Sequence, residues 1–314
     1  MTELDKEQRT RIGKVLEYIE NHLDQTLNLD NLAKRSTYSP SHFHRLFTEM
    51  IGETPANYVK RRRLEKAAHD LIYEPKLAVT EIGQRYGFTS LSYFTTAFTE
   101  RYQHSPRAWR EGAYLEKFPR RYLHSKKSKQ NSRNEQEMNP ETRYTRFQWV
   151  DLSKVKTEMF PEGHIVLSHR FGPYTQELAD TWEQIYRWAE ARELITKGTR
   201  LLGVPRNNPY ITPLDKCRYD CCIIVPSGTP TGNEVESGSF QGGKFVVYEF
   251  DEPIEYSRRD ILIECYSELY SFWLPRSGYR YLGDPVELVQ IRPNSSTLDL
   301  DCRITAISLP IEPK

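Results

Sequence analysis

Residues 82–110 read IGQRYGFTSLSYFTTAFTERYQHSPRAWR, and a near copy of this pattern stands about fifty residues earlier. Leu32, Ala33 and Arg35 align with Ile82, Gly83 and Arg85 at a spacing of 50; after one inserted residue, Ser39, Ser41, Phe43 and Phe47 align with Ser90, Ser92, Phe94 and Phe98 at 51. Recurrence at a fixed period marks a duplicated structural unit. Each copy is predicted to hold a short helix, a turn and a second helix. In the first copy Ser39 is placed to cap a helix opened by Pro40, where the missing N–H costs nothing. Phe43, Leu46, Phe47 and Met50 fall on one face and are expected inside, which leaves Ser41, His44, Arg45 and Thr48 outside. Gly52 ends the helix. Between the copies Thr54-Pro55 opens a helix predicted to reach Tyr73, about 30 Å long at about 1.5 Å per residue. Such a rod can hold two reading heads near the roughly 34 Å between successive major grooves on one face of B-DNA.

Upstream, Ile12, Val15, Leu16, Ile19 and Leu23 recur at helical spacing, and 29–36 follows as a brief second helix. The charge is divided along the chain: residues 1–133 carry 24 basic and 16 acidic side chains, a balance of +8, and the remainder carries −7, against +1 overall. The basic half is therefore the expected nucleic-acid binder. Its last stretch, FPRRYLHSKKSKQNSR at 118–133, has no acid and few apolar residues. That composition predicts a basic linker over 116–141 between an N-terminal domain at 1–115 and a C-terminal domain at 142–314. No stretch approaches the roughly 18 apolar residues of a membrane span. Five cysteines without a CxxC pair and a charged N-terminus predict reduced thiols in a cytoplasmic, nucleoid-associated protein.

The 82–110 segment resembles the signature of AraC/XylS-type regulators, and residues 10–112 span that whole domain. The resemblance implies an all-α tandem helix-turn-helix fold that binds double-stranded DNA, with base-reading positions at Ser41, His44 and Arg45 in the first recognition helix and Ser92, Thr95 and Thr96 in the second. Many relatives carry Arg or Gln at the positions of Thr96 and Leu91, which implies that the second helix acts through phosphates and DNA shape. The Arg45 fork matches the O6 and N7 acceptors of guanine, and a phosphate contact is its other reading. The cluster Lys60-Arg61-Arg62-Arg63 reads either as a phosphate clamp or as a solvated helix face. His42 and His44 lack Cys or acidic partners nearby, so no metal is assigned.

Beyond residue 142 the pattern changes to short β-rich runs at 164–170, 200–204, 218–225, 244–250, 285–291 and 300–308, with helices near 175–193 and 257–273. The prediction is α+β, built from a duplicated strand-helix-strand-strand unit. Ile165-Val166-Leu167 aligns with Phe245-Val246-Val247, Pro173 with Pro253, and Gly203 and Pro205 with Gly283 and Pro285, all at 80; Asp220-Cys221 aligns with Asp301-Cys302 at 81. Two such halves would pair about a pseudo-twofold axis with a cleft between them. Trp182, Tyr186 and Trp188 on the first helix, and Tyr266, Tyr270, Phe272 and Trp273 near the second, line such a cleft or simply fill the core.

RFGPY (170–174), TPLDKCRYD (212–220) and FWLPRSGY (272–279) together resemble the GyrI-like effector-binding domain over about 144–311. That resemblance implies a small hydrophobic ligand, often cationic in the family, and places Glu287 at the ligand-facing carboxylate, with Trp182, Tyr266 and Trp273 as candidate partners. A carboxylate among aromatic faces attracts an organic cation. Relatives often have Tyr two residues after the Glu, where this chain has Val289, so a neutral ligand is a second expectation. Three functions follow: a ligand-responsive transcription regulator; a hydrolase with Glu287 as base; or a protein-binding module with no ligand, whose partner would be RNA polymerase. His164 and His169 offer no Ser/His/Asp order, and there is no GxSxG and no phosphate loop. Neither catalytic residues nor a cofactor are therefore assigned, and regulation is the preferred reading.

Overall fold

The computed structural model describes residues 3–117, 150–174, 177–232, 234–293 and 300–314. The chain divides into two compact units, 1–119 and 120–314. Most of the stretch expected as a linker lies outside the described residues.

Unit one is helical: α1 Glu3–Asn21, α2 Leu29–Ser36, α3 Pro40–Ile51, α4 Pro55–Tyr73, α5 Val79–Arg85, α6 Leu91–Tyr102 and α7 Pro106–Arg110. Local chemistry sets the starts. The side chains of Ser39, Thr54, Ser90 and Ser105 each accept a hydrogen bond from a backbone N–H of the following turn, and proline stands first in α3, α4 and α7. At α5 the N-cap is Ala78, so the Glu81 carboxylate reaches back to the Ala78 N–H at 2.6 Å instead. The two turns differ by the expected inserted residue. Thr37 closes α2 in the left-handed region (φ 62°), and Gly87 takes that role after α5 (φ 72°). In α3, Phe43, Leu46, Phe47 and Ile51 are buried, whereas Met50 is only half-buried, a correction of the inward position expected for it.

Unit two is one antiparallel sheet with helices. Its strands are β1 Lys156–Phe160, β2 Gly163–Phe171, β3 Leu201–Pro205, β4 Arg218–Val225, β5 Glu236–Phe240, β6 Gly243–Glu255, β7 Tyr279–Tyr281, β8 Val286–Pro293 and β9 Leu300–Pro313. The order is β1-β6-β9-β8-β3-β4-β2-β5, with β7 on β9. The helices are α8 Glu177–Glu190 and α9 Arg259–Glu268, and α9 continues as a wider turn over Leu269–Trp273. One sheet face carries an apolar cluster that includes Phe160, Leu167, Leu202, Cys222, Phe245 and Val247. Because side chains alternate along a strand, Gly203, Cys221 and Glu287 point to the opposite face.

The strand register confirms the duplication and corrects its alignment. Phe160 pairs with Gly243 and Gly163 with Phe240, a reciprocal exchange at a spacing of 80. Val166 leads through Ile223 to Leu201, whereas its counterpart Val246 leads through Leu309 to residue 285, one beyond the Val286–Ser308 pair. The inner strands are therefore related at a spacing of 84, which makes Gly203 and Glu287 counterparts, and these two face each other across β3 and β8. Setting Gly203 against Gly283 and Asp220 against Asp301 is out of register by four or five residues. The pseudo-twofold axis passes beside Glu287.

Candidate nucleic-acid interface and buried carboxylate site

On α3 the side chains of Ser41, His44 and Arg45 are exposed, and on α6 Ser92 and Thr96 are exposed with Thr95 half-buried. Phe94, Ala97, Phe98 and Tyr102 hold α6 to its core. Leu91 and Tyr93, 46% and 53% exposed, add apolar surface at the start of that helix. Each helix thus presents its N-terminal turns and one outward face.

The basic cluster on α4 is neither a phosphate clamp nor a solvated face, because Arg61 and Arg62 are buried. Glu65, also buried, accepts from Arg61 at 3.1 Å, Arg62 at 2.8 Å and Arg101 of α6 at 3.0 Å. Arg62 also grips Glu20 of α1 at 2.6 and 2.7 Å, and Arg61 binds Glu53 at 2.9 Å. Burial works against charging these arginines, but the surrounding carboxylates outweigh it and raise both pKa values. Arg63 donates to the backbone of Gln25 at 2.5 Å and Gly87 at 3.3 Å. At the far end of α4, Asp70 accepts from Arg85 and Tyr86. Through Arg62 and Glu65, α4 therefore ties α1 to α6, and through Arg63 on another side it ties the turn before α2 to the turn after α5, fixing how the two recognition helices stand relative to each other. Lys60, with its side chain 40% exposed, lies 3.5 Å from Glu100.

In unit two Glu287 is fully buried. Arg259, the first residue of α9, donates to both carboxylate oxygens at 2.6 and 3.1 Å, and the Tyr219 hydroxyl donates to Oε2 at 2.6 Å. The Tyr219 and Tyr256 hydroxyls lie 3.0 Å apart, and Trp182 Nε1 donates to Tyr256 at 2.6 Å. The Arg259 guanidinium carbon lies 5.0, 4.9 and 5.4 Å from the ring centres of Tyr174, Tyr219 and Tyr256. Gly203 makes this possible, since a Cβ there would strike the Tyr219 hydroxyl. Burial, and then the Glu287 charge, push the pKa values of Tyr219 and Tyr256 well above the ordinary phenol value. Tyr266 of α9 is half-buried, and its hydroxyl is buried and, among the described residues, makes no hydrogen bond.

Glu287, Trp182 and Tyr266 thus belong to one neighbourhood, with Trp182 reaching the carboxylate only through two tyrosines. Trp273 stands apart, stacked on Tyr279 with ring centres 6.2 Å apart. Tyr279 pairs with Pro313 and Glu287 with Ile307, which puts their registers about 20 Å apart along β9 at roughly 3.3 Å per residue. Arg259, Tyr174, Tyr219 and Tyr256 are not singled out by sequence reasoning, although Tyr174 and Tyr219 lie inside RFGPY and TPLDKCRYD. A hydrolase would need Glu287 beside a water to deprotonate; its oxygens instead accept from Arg259 and Tyr219.

A second buried charge lies on the other sheet face. Asp220 accepts from Arg218 at 2.6 Å and from Arg206 at 2.7 Å, and Arg206 continues to Asp284 at 3.2 Å. Burial disfavours the carboxylate, but the two arginines hold its pKa below the usual range.

Among known proteins, a helix-turn-helix domain family matches residues 32–112, and the GyrI-like small molecule binding domain family matches 153–310. The transposon Tn10 TetD protein of Escherichia coli is 38% identical over 107 residues, covering 34% of this chain and 77% of that protein. The transcriptional regulator Rob of Salmonella typhimurium is 34% identical over 102 residues, covering 32% of this chain and 35% of Rob. The chain therefore spans only about a third of Rob's length. Among solved structures, the C-terminal domain of AraT, a response regulator from Geobacillus stearothermophilus, is 29% identical with a TM-score of 0.31, covering 32% of this chain and 84% of that one.

Proposed function

As this chain belongs to the GyrI-like small-molecule-binding family and carries an AraC-type helix-turn-helix domain, we propose that it is a transcription regulator whose N-terminal unit reads double-stranded DNA through two recognition helices and whose C-terminal unit senses a small hydrophobic ligand. The observation that carries the reading is the ion-paired face of α4. Its 19 residues span about 28 Å at about 1.5 Å each, close to the groove repeat, and its arginines brace both helix-turn-helix units. Ser41, His44 and Arg45 are the proposed readers on α3, and Ser92, Thr95 and Thr96 the proposed contacts on α6. RNA polymerase is the partner through which a promoter-bound regulator acts, and residues 116–141 serve as the tether.

Selection from a random duplex library followed by footprinting tests this. One chain should protect two adjacent major grooves of an asymmetric site, and affinity should fall about 10³-fold or more between 50 and 200 mM salt as counterions are displaced. Protection of a single groove, or a strict requirement for a dimer, overturns the tandem reading.

Arg45 gives a finer check. With a guanine contact, Arg45→Ala lowers discrimination at one base pair by about 1–3 kcal/mol in competition binding. Equal weakening on every sequence identifies a phosphate contact instead.

A further inference from the structure

The Glu287 site already holds a cation, and that cation is part of the chain. Three tyrosine rings and one carboxylate surround the Arg259 guanidinium, the same elements by which proteins capture free organic cations. The two donations to opposite carboxylate oxygens are the fork geometry that makes Arg–carboxylate pairs strong and directional. The Glu287 charge is thereby matched inside the protein. A free cation entering this space would have to displace a group held at the high effective concentration of a tether, or remain beside a like charge.

We infer that Arg259 is the tethered occupant of the Tyr174–Tyr219–Tyr256–Glu287 cage and shuts free organic cations out of the site. This rests on the proposal that the C-terminal unit senses a small molecule, and it narrows the ligand class to uncharged compounds. The Tyr266 hydroxyl agrees with that class: it is a buried polar atom of this neighbourhood without a hydrogen bond among the described residues, and a neutral phenol suits an uncharged ligand with one polar group.

The test uses the full chain as wild type, Arg259→Ala and the double variant Arg259→Ala/Glu287→Gln, with ethylguanidinium and tetraphenylphosphonium as probes. Thermal shift and calorimetry give the readouts. Wild type is expected to respond to neither probe at low millimolar concentration. Arg259→Ala should bind ethylguanidinium at least about 30-fold more tightly than wild type does and melt several degrees higher with it, because the probe re-pairs a buried carboxylate. The double variant has no charge to pair and should lose that gain. If Arg259→Ala fails to fold alone, folding driven by ethylguanidinium is the same positive result. Three results overturn the inference: no rescue of Arg259→Ala, an equal response in the double variant, or wild-type binding of tetraphenylphosphonium that depends on Glu287. A wild-type chain that responds to no small molecule, charged or uncharged, would end the ligand-sensing proposal while leaving the rescue of Arg259→Ala as a separate outcome.

Discussion

Replacing Glu65 with alanine is expected to cost the N-terminal unit about 3–5 kcal/mol, the range for removing one partner from a buried ionic cluster. Glu65 is 4% exposed and receives hydrogen bonds from three arginines on α4 and α6. Without it Arg62 keeps Glu20 and Arg61 keeps Glu53, but Arg101 loses this partner and three like charges face one another in a low-dielectric space. Glu100→Ala supplies the contrast. Its pair with Lys60 is 3.5 Å long and exposed, so the loss should stay below about 1 kcal/mol. Urea unfolding of residues 1–119, followed through the fluorescence of Trp109, measures both. The functional consequence is separable: DNA containing both proposed half-sites should lose more affinity with Glu65→Ala than DNA containing one, because the variant loosens the spacing between heads. Equal costs for Glu65→Ala and Glu100→Ala would show that the buried cluster does not hold this unit together.

That cluster also shows where reading a sequence stops. The starts of α3 and α4 were legible because Ser39-Pro40 and Thr54-Pro55 act locally, and the inward face of α3, Met50 apart, followed from spacing alone. The burial of Arg61 and Arg62 was not legible, since their partners Glu53 and Glu20 lie outside α4, as does Arg101, which joins the cluster through Glu65, and no periodicity links these segments. In unit two the long apolar strands were found, but β1, β5 and β7, reading KTEMF, ESGSF and YRY, are short and carry weak alternation. The duplication was visible while its inner register was not. Irregularities between Glu249 and Ile254 in β6, and between Leu288 and Val289 in β8, shift the strand pairing, so sequence spacing and spatial equivalence part company. Glu287 was located through a family resemblance. Its partner Arg259 lies 28 positions away, and only the structure brings the two together.

The Glu287–Arg259 pair leads to the second large expected effect. Glu287→Leu should destabilise the C-terminal unit by about 3–5 kcal/mol, because it leaves a buried guanidinium with neither of its carboxylate contacts. The double variant Glu287→Leu/Arg259→Met removes both charges together. Replacing a buried pair by apolar groups of similar size is often neutral or stabilising, so most of the loss should return. A double-mutant cycle on thermal or urea unfolding gives the coupling directly, and a coupling near zero would mean that the pair does not interact as the geometry requires. The alkaline limb adds an independent reading. Tyr219 and Tyr256 have folded pKa values raised above the unfolded value of about 10, first by burial and then by Glu287. Stability from these phenols is complete below about pH 10 and falls as pH rises beyond it, since the unfolded chain then gives up protons that the folded chain retains. The double variant removes the Glu287 charge, which raises these values, together with the smaller opposing effect of Arg259, which lowers them, so it should show a shallower alkaline decline than wild type. An unchanged decline would mean that the two removed charges offset each other at these phenols, leaving burial to set their raised values.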